Sequence, residues 1–198
     1  MPTVIALTGG LASGKSTVAR YLKEKGYPVF SADEAAREVV APGEPAWAAL
    51  RESFGADYFH ADGSLDRARL RERVFRDPQA RARLEAMTHP AIRTWLQTRI
   101  DATDAPVVFV EIPLLVESGR PPFVDQVWVI DCPKALQRAR AQARGLDTET
   151  IDAILAAQTT RDARKAVADA IISTDSDWKA TRQQVDNLLK NLQQTAAP

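Results

Sequence analysis

Residues Gly9 to Ser16, Gly-Gly-Leu11-Ala12-Ser13-Gly-Lys-Ser, match the pattern G-x-x-x-x-G-K-[ST] at every fixed position. An apolar run, Val4 to Leu7, precedes them, and a helical pattern opens near Ser16. This order demands a buried strand, a glycine-rich loop and a helix, the unit from which parallel α/β sheets are built. The loop's backbone N–H groups surround phosphate oxygens, and glycines at 9, 10 and 14 remove the Cβ atoms that would crowd that approach. The helix adds its positive end, Lys15 can reach β- and γ-phosphates, and the Ser16 hydroxyl can ligate Mg2+. Residues Gly10 to Thr17 are therefore expected to hold a nucleoside triphosphate. A glycine turn with an incidental lysine is the plain alternative, and the flanking strand and helix weigh against it. Ala12 puts a methyl group where tight loops often carry glycine.

A length of 198 residues suits a single compact domain, and the formal net charge of zero argues against wholesale binding to nucleic acid or an acidic membrane. Arginine outnumbers lysine 19 to 7, with seven arginines between Arg67 and Arg83. That run is either a solvated helix face or a phosphate-reading surface. Cys132 is the only cysteine, so an internal disulfide or a cysteine zinc site is out of reach. The first apolar run is too short for a signal peptide, and no stretch of 18 apolar residues is present. A cytoplasmic protein, a monomer or weak homo-oligomer, is expected.

After the loop the pattern predicts a short helix ending at Gly26, then a strand over 27–30 that runs into Asp33. The βαβ unit predicts parallel, neighbouring strands with Asp33 beside the phosphate loop. There Asp33 either takes the proton of an attacking hydroxyl or merely caps a helix over 34–40. Residues 42–100 predict four helices, 45–54, 66–75, 78–87 and 90–100, with a turn at Asp62-Gly63. This is too much helix for one crossover and predicts an inserted substrate-holding region. His89 and Arg93 open its last helix; a histidine before proline is a turn residue or a site residue.

The run 105–117 predicts a strand buried on both faces, where Glu111 either orients a Mg2+-bound water or simply ends the strand. A fourth strand over 127–130 ends at Asp131. Then come an arginine-bearing helix to Arg144 and a second helix from Asp147 or Thr148 to about Lys165, with Gln158, Arg161 and Arg164. These predict a cationic lid, with a solvated hairpin as the alternative. A last strand, 170–173, and a closing helix, 178–192, complete the chain.

Several landmarks in order resemble the dephospho-CoA kinase family over nearly the whole chain. They are Leu7-Thr8-Gly9-Gly10 through Thr17, Ala32-Asp33 with Ala36-Arg37, Phe54-Gly55, Asp62-Gly63 with Asp66-Arg67, Leu84-Glu85 before His89-Pro90, and Pro113-Leu114-Leu115 with Glu117. The resemblance implies an α/β fold: a parallel-sheet P-loop kinase core (about 1–33, 105–132 and 166–198), a helical substrate-binding insertion (about 34–100) and a helical lid (about 133–165). It implies transfer of the γ-phosphoryl of ATP to the ribose 3′-hydroxyl of dephospho-CoA, with Mg2+. Lys15, Asp33 and Arg140 would be catalytic, and Gly10 to Thr17 would hold the nucleotide. Thr8, Asp33, Arg37, His89, Arg93, Leu114 and Glu117 would face substrate, and Ser16 and Glu111 the metal. Val116 stands where the family more often has an aromatic residue. The lid spacing leaves Arg138, Arg140 and Arg144 open as the lid arginine. Another small-molecule P-loop kinase and a non-catalytic ATP-sensing module are the rival readings.

Overall fold

Unbroken apolar runs become strands covered on both faces, where every backbone polar group is paired within the sheet. The computed structural model describes residues 1–195 and has five strands: β1 (Thr3–Gly9), β2 (Val29–Ser31), β3 (Val107–Glu111), β4 (Gln126–Asp131) and β5 (Ala170–Ser173). They form one sheet in the order β2-β3-β1-β4-β5. Parallel pairing sets Leu7 beside Glu111 and Trp128, and Gly9 beside Ile130. The first helix, α1 (Lys15–Glu24), follows the loop. The expected adjacency of the first two strands is corrected: β3 lies between them. Val108, Phe109 and Val110 are wholly buried, whereas Phe30 and Ser31 of β2 are half-exposed, so the more apolar strand takes the central place.

The backbone groups into two units, Met1–Phe30 with the chain from Thr103 onward, and Ser31–Ala102. The second unit is helical: α2 (Ala32–Glu38), α3 (Pro45–Phe54), α4 (Arg67–Arg76) and α5 (Pro78–Asp101). Val39, Val40, Ala46 and Leu50 form its core, with Phe54, Leu84, Ile92 and Trp95 packed against them. The Asp62-Gly63 turn is present; Gly63 takes φ 83°, and its carbonyl accepts from Trp47 Nε1 at 2.7 Å.

Two expectations are corrected in this unit. The cap of α2 is Ser31, whose Oγ accepts from the Glu34 N–H at 3.4 Å, so Asp33 sits inside the first turn. The two helices expected over 78–87 and 90–100 are one, with Pro90 inside it, and His89 opens no helix. Proline removes one intrahelical bond. Burial on both sides of it, at Ala80, Leu96 and Ile100, keeps the helix continuous.

In the first unit β3 stops at Glu111, and the apolar run expected to extend to 117 turns instead into α6 (Leu115–Ser118). Then come α7 (Lys134–Ala143), α8 (Thr148–Ala157), α9 (Arg161–Ala166) and α10 (Trp178–Thr195). The second lid helix, expected to run unbroken to Lys165, is interrupted at Gln158, which takes extended φ/ψ of −80° and 149°. Thr160 restarts the chain as the cap of α9, accepting from the Ala163 N–H at 3.2 Å. One core joins Ile5, Leu7, Leu22, Phe109, Trp128 and Val185 from the sheet, α1 and α10. Among the described residues no helix is long and apolar enough to cross a membrane.

Candidate active site

β1 delivers Gly9 against β4 so closely that a Cβ there would lie 2.4 Å from the Ile130 carbonyl oxygen and 2.6 Å from Ser13 Oγ. The loop then turns tightly, with Ser13 N–H donating to the Gly10 carbonyl at 3.2 Å. Ala12 takes φ 51°, the left-handed region, and is the one non-glycine residue to do so among the described residues. This conformation costs a methyl-bearing residue roughly 1–2 kcal/mol, the physical reason that glycine suits this place. Gly14, at φ 97°, is the N-cap of α1 and offers no side chain to the helix end. The first turn, Lys15 to Thr17, carries no acid, so no side chain of that turn offsets the positive end of the helix, the setting that favours an anion. Ser13 Oγ is buried without a hydrogen-bond partner among the described residues, an open polar atom within the loop.

Side chains from late in the chain close around this loop. Gln137 of α7 and Arg164 of α9 are both buried. A Cβ on Gly10 would lie 2.5 Å from Gln137 Nε2 and 2.9 Å from Arg164 NH2. Burial pulls the Arg164 pKa down, and its NH1 donates to the Thr159 carbonyl at 2.6 Å. Gln158 Oε1 accepts from the Leu11 N–H at 3.0 Å. The break between α8 and α9 is thus the place where these helices meet the loop.

On the other side of the loop Arg140 donates to Thr174, through NH1 to Oγ1 at 3.0 Å and NH2 to the carbonyl at 2.6 Å. A cavity of about 240 Å3 opens there, lined by Gly14, Thr17, Arg140, Arg144, Thr174 and Trp178. Arg138 pairs instead with Asp152. Of the three candidate lid arginines, Arg140 is therefore the one bonded to a residue that touches the loop.

Asp131, at the end of β4, is gripped by Arg161, with Nε at 2.8 and 3.0 Å and NH2 at 2.6 Å from its carboxylate. The Arg161 hydrogen bonds hold the Asp131 carboxyl below its ordinary range against an opposing push from burial, and Lys165 at 3.6 Å adds attraction. A depressed folded pKa contributes stability that is full above about pH 4, the unfolded carboxyl's range, and is lost as pH falls through the folded value. Asp131→Asn is expected to lose about 1–2 kcal/mol at pH 7, kept small by the half-exposed Arg161. Thermal unfolding of both proteins should show this gap closing as the pH is lowered toward 2; a gap independent of pH would refute the assignment.

These features coincide with what comparison of the whole chain returns. A model of the dephospho-CoA kinase family matches residues 3–180. The chain belongs to the dephospho-CoA kinase family. It is 43% identical over 195 residues to the dephospho-CoA kinase of Methylococcus capsulatus, covering 98% of each. It is 48% identical over 186 residues to that of Thiobacillus denitrificans, covering 93% of this chain and 92% of the other. The solved dephospho-CoA kinase from Campylobacter jejuni superposes with TM-score 0.74 at 27% identity, each chain fully covered. Membership makes the chain an ATP-dependent kinase acting on an alcohol acceptor and disfavours the sensing module.

The remaining residues singled out from the sequence fall into separate settings. Thr8 is wholly buried and its hydroxyl donates to the Pro113 carbonyl at 3.3 Å, so it ties down a turn and presents no group to solvent. Leu114 is 47% exposed beside that turn, a large apolar side chain facing water. Glu117 accepts from the Thr159 N–H at 2.8 Å, binding α6 to the break between α8 and α9. Glu111 is half-buried at the end of β3 and Ser16 is exposed in the first turn of α1. In the helical unit Asp33, Arg37 and Arg93 are exposed and His89 is half-buried. A cavity of about 290 Å3 in that unit is lined by Val40, Leu65, Leu70 and Ile92 with Arg67 and Arg71. Thr88 and Ile92 reach it, one position before His89 and Arg93 on the helix. Three of the seven arginines in the run form surface pairs: Arg73, Arg76 and Arg81 with Asp77, Glu72 and Glu85. Arg67 differs, donating to the Arg37 carbonyl at 3.1 Å, and burial beside Arg37 and Arg71 lowers its pKa.

The sequence assigns Gln158, Arg161 and Arg164 to a cationic lid as a group without separate roles, and gives no sign of Gln137 or Thr174. The usable signal was weak: an acid closing β4 followed by arginines one turn apart at 161 and 164.

Proposed function

We propose that the chain carries out its family's reaction by a division of roles between its two units. The γ-phosphoryl of ATP passes to the ribose 3′-hydroxyl of dephospho-CoA. Residues Gly10 to Thr17 cradle the donor phosphates, and Lys15 and Arg140 offset charge on the transferring group. Asp33, on α2, takes the acceptor proton. Arg37, His89 and Arg93, with the arginine-rimmed cavity of the helical unit, serve the acceptor. The single observation that carries this reading is the uncapped, acid-free start of α1 behind a loop of three glycines, within a chain matched by the family model over residues 3–180.

Ser16 and Glu111 are hard oxygen donors, the type Mg2+ takes, and Mg2+ bound through phosphates needs only one or two protein ligands. Among the described residues no group of three or more acids, histidines or cysteines is placed to hold a metal ion. The two residues fit a metal held mainly by ATP. When bound, Mg2+ supplies neutralisation of charge on the β- and γ-phosphates. We read the protein as a cytoplasmic enzyme, a monomer or weak homo-oligomer, that acts without nucleic acid or membrane.

Turnover of dephospho-CoA by purified protein with ATP and Mg2+, compared with nucleoside monophosphates and polyols, tests the reading. Brisk turnover of another acceptor with none of dephospho-CoA would sink it. Lys15→Ala is expected to lower kcat by roughly two to three powers of ten and to weaken ATP binding, the size of losing one pre-placed charge donor.

A further inference from the structure

Thr174 is the first residue after β5 and only 6% exposed, and every polar atom it owns is engaged. Its N–H donates to the Asp131 carbonyl at 2.9 Å. Its carbonyl accepts from Arg140 NH2 at 2.6 Å. Its hydroxyl accepts from Arg140 NH1 at 3.0 Å and stands 2.6 Å from the carbonyl of Ser13. A carbonyl can only accept and a guanidinium can only donate, so the single hydroxyl proton goes to a carbonyl, and Ser13 at 2.6 Å outcompetes Asp131 at 3.4 Å for it. The bonds run one way, from Arg140 through Thr174 to the loop. The side chain also packs on the loop, with its Cγ2 3.4 Å from where a Cβ on Gly14 would stand.

A free arginine side chain samples many rotamers, and its own helix alone does not hold it in one. Two bonds to one buried residue at the end of a sheet strand do. We infer that Thr174 is a positioning residue that fixes Arg140 relative to the phosphate loop, so that the cation is in place before phosphoryl transfer. The inference rests on the reading of Arg140 as a charge-stabilising residue.

The test is a double-mutant cycle measured by steady-state kinetics with ATP and dephospho-CoA. Thr174→Val keeps the shape and loses the hydroxyl. It is expected to lower kcat by about ten- to hundredfold, the cost of a small misplacement, with KM for ATP changed less than about threefold. Thr174→Ser keeps the hydroxyl and should stay within about threefold of the parent kcat. In an Arg140→Ala background Thr174→Val should cost no more than about threefold further, because the group it positions is gone. Independent multiplication of the two losses, or a Ser variant as impaired as Val, overturns the inference while leaving Arg140 in its role. An Arg140→Ala enzyme with unchanged kcat overturns the Arg140 reading and this inference with it. If thermal melts show that Thr174→Val is not folded, Thr174→Cys, whose thiol is a weak donor, runs the same cycle with the same outcomes.

Discussion

Asp33→Asn is expected to lower kcat by two to four powers of ten, roughly the contribution of a general base, with ATP affinity held within about twofold. The substitution is nearly isosteric and removes only the capacity to take a proton. The fold makes the result interpretable: the cap of α2 is Ser31, and Asp33 is exposed in the first turn. The melting temperature should therefore stay within about 2 °C of the parent, since replacing an exposed first-turn acid by a neutral isostere costs a few tenths of a kcal/mol. Steady-state kinetics, an ATP titration and a thermal melt together decide the matter. An unchanged kcat would show that Asp33 carries no chemistry.

Gly9→Ala should be the most damaging single methyl in the loop. The added carbon would meet the Ile130 carbonyl at 2.4 Å and Ser13 Oγ at 2.6 Å. Neither can retreat cheaply, because Ile130 is paired to Gly9 within the sheet and Ser13 is held through its carbonyl by Thr174. Overpacking of this kind costs about 3 kcal/mol, which for a chain of this size lowers the melting temperature by on the order of 6–12 °C. The loop must also shift, so ATP affinity should fall by at least tenfold, about 1.4 kcal/mol. Calorimetry with and without nucleotide measures both effects. A variant with the parent melting temperature would show that β1 and β4 can part more easily than their pairing implies.

The parts of this molecule that could be read in advance are those whose physics is local. A phosphate loop needs glycine and lysine at fixed offsets, so Gly9, Gly14 and Lys15 announce it. Strands buried on both faces must be apolar, so Val4 to Leu7 and Val107 to Val110 announce them. Pro90 misled because proline reports only its own missing bond, whereas Leu96, Ile100 and Ala80 hold the helix together through packing. Gln158 gave no sign of ending a helix, having neither glycine nor proline beside it. Its bond to Leu11 crosses 147 positions, and no window along the chain spans that distance. The same holds for Thr174, whose importance lies entirely in Arg140 and Ser13. Strand order was misjudged for a related reason: a βαβ unit dictates that two strands run parallel, not that they touch.

The bond from Thr174 to Ser13 joins positions 161 apart. The motif that announces the protein is synthesised long before the residue that braces it. A nascent chain halted before β5 would display every letter of the phosphate loop and lack its support. Contacts this distant close late in folding and slow it. The braced loop can therefore meet nucleotide only once β5 is in place, which makes ATP a seal on that closure and not a guide for the stages before it.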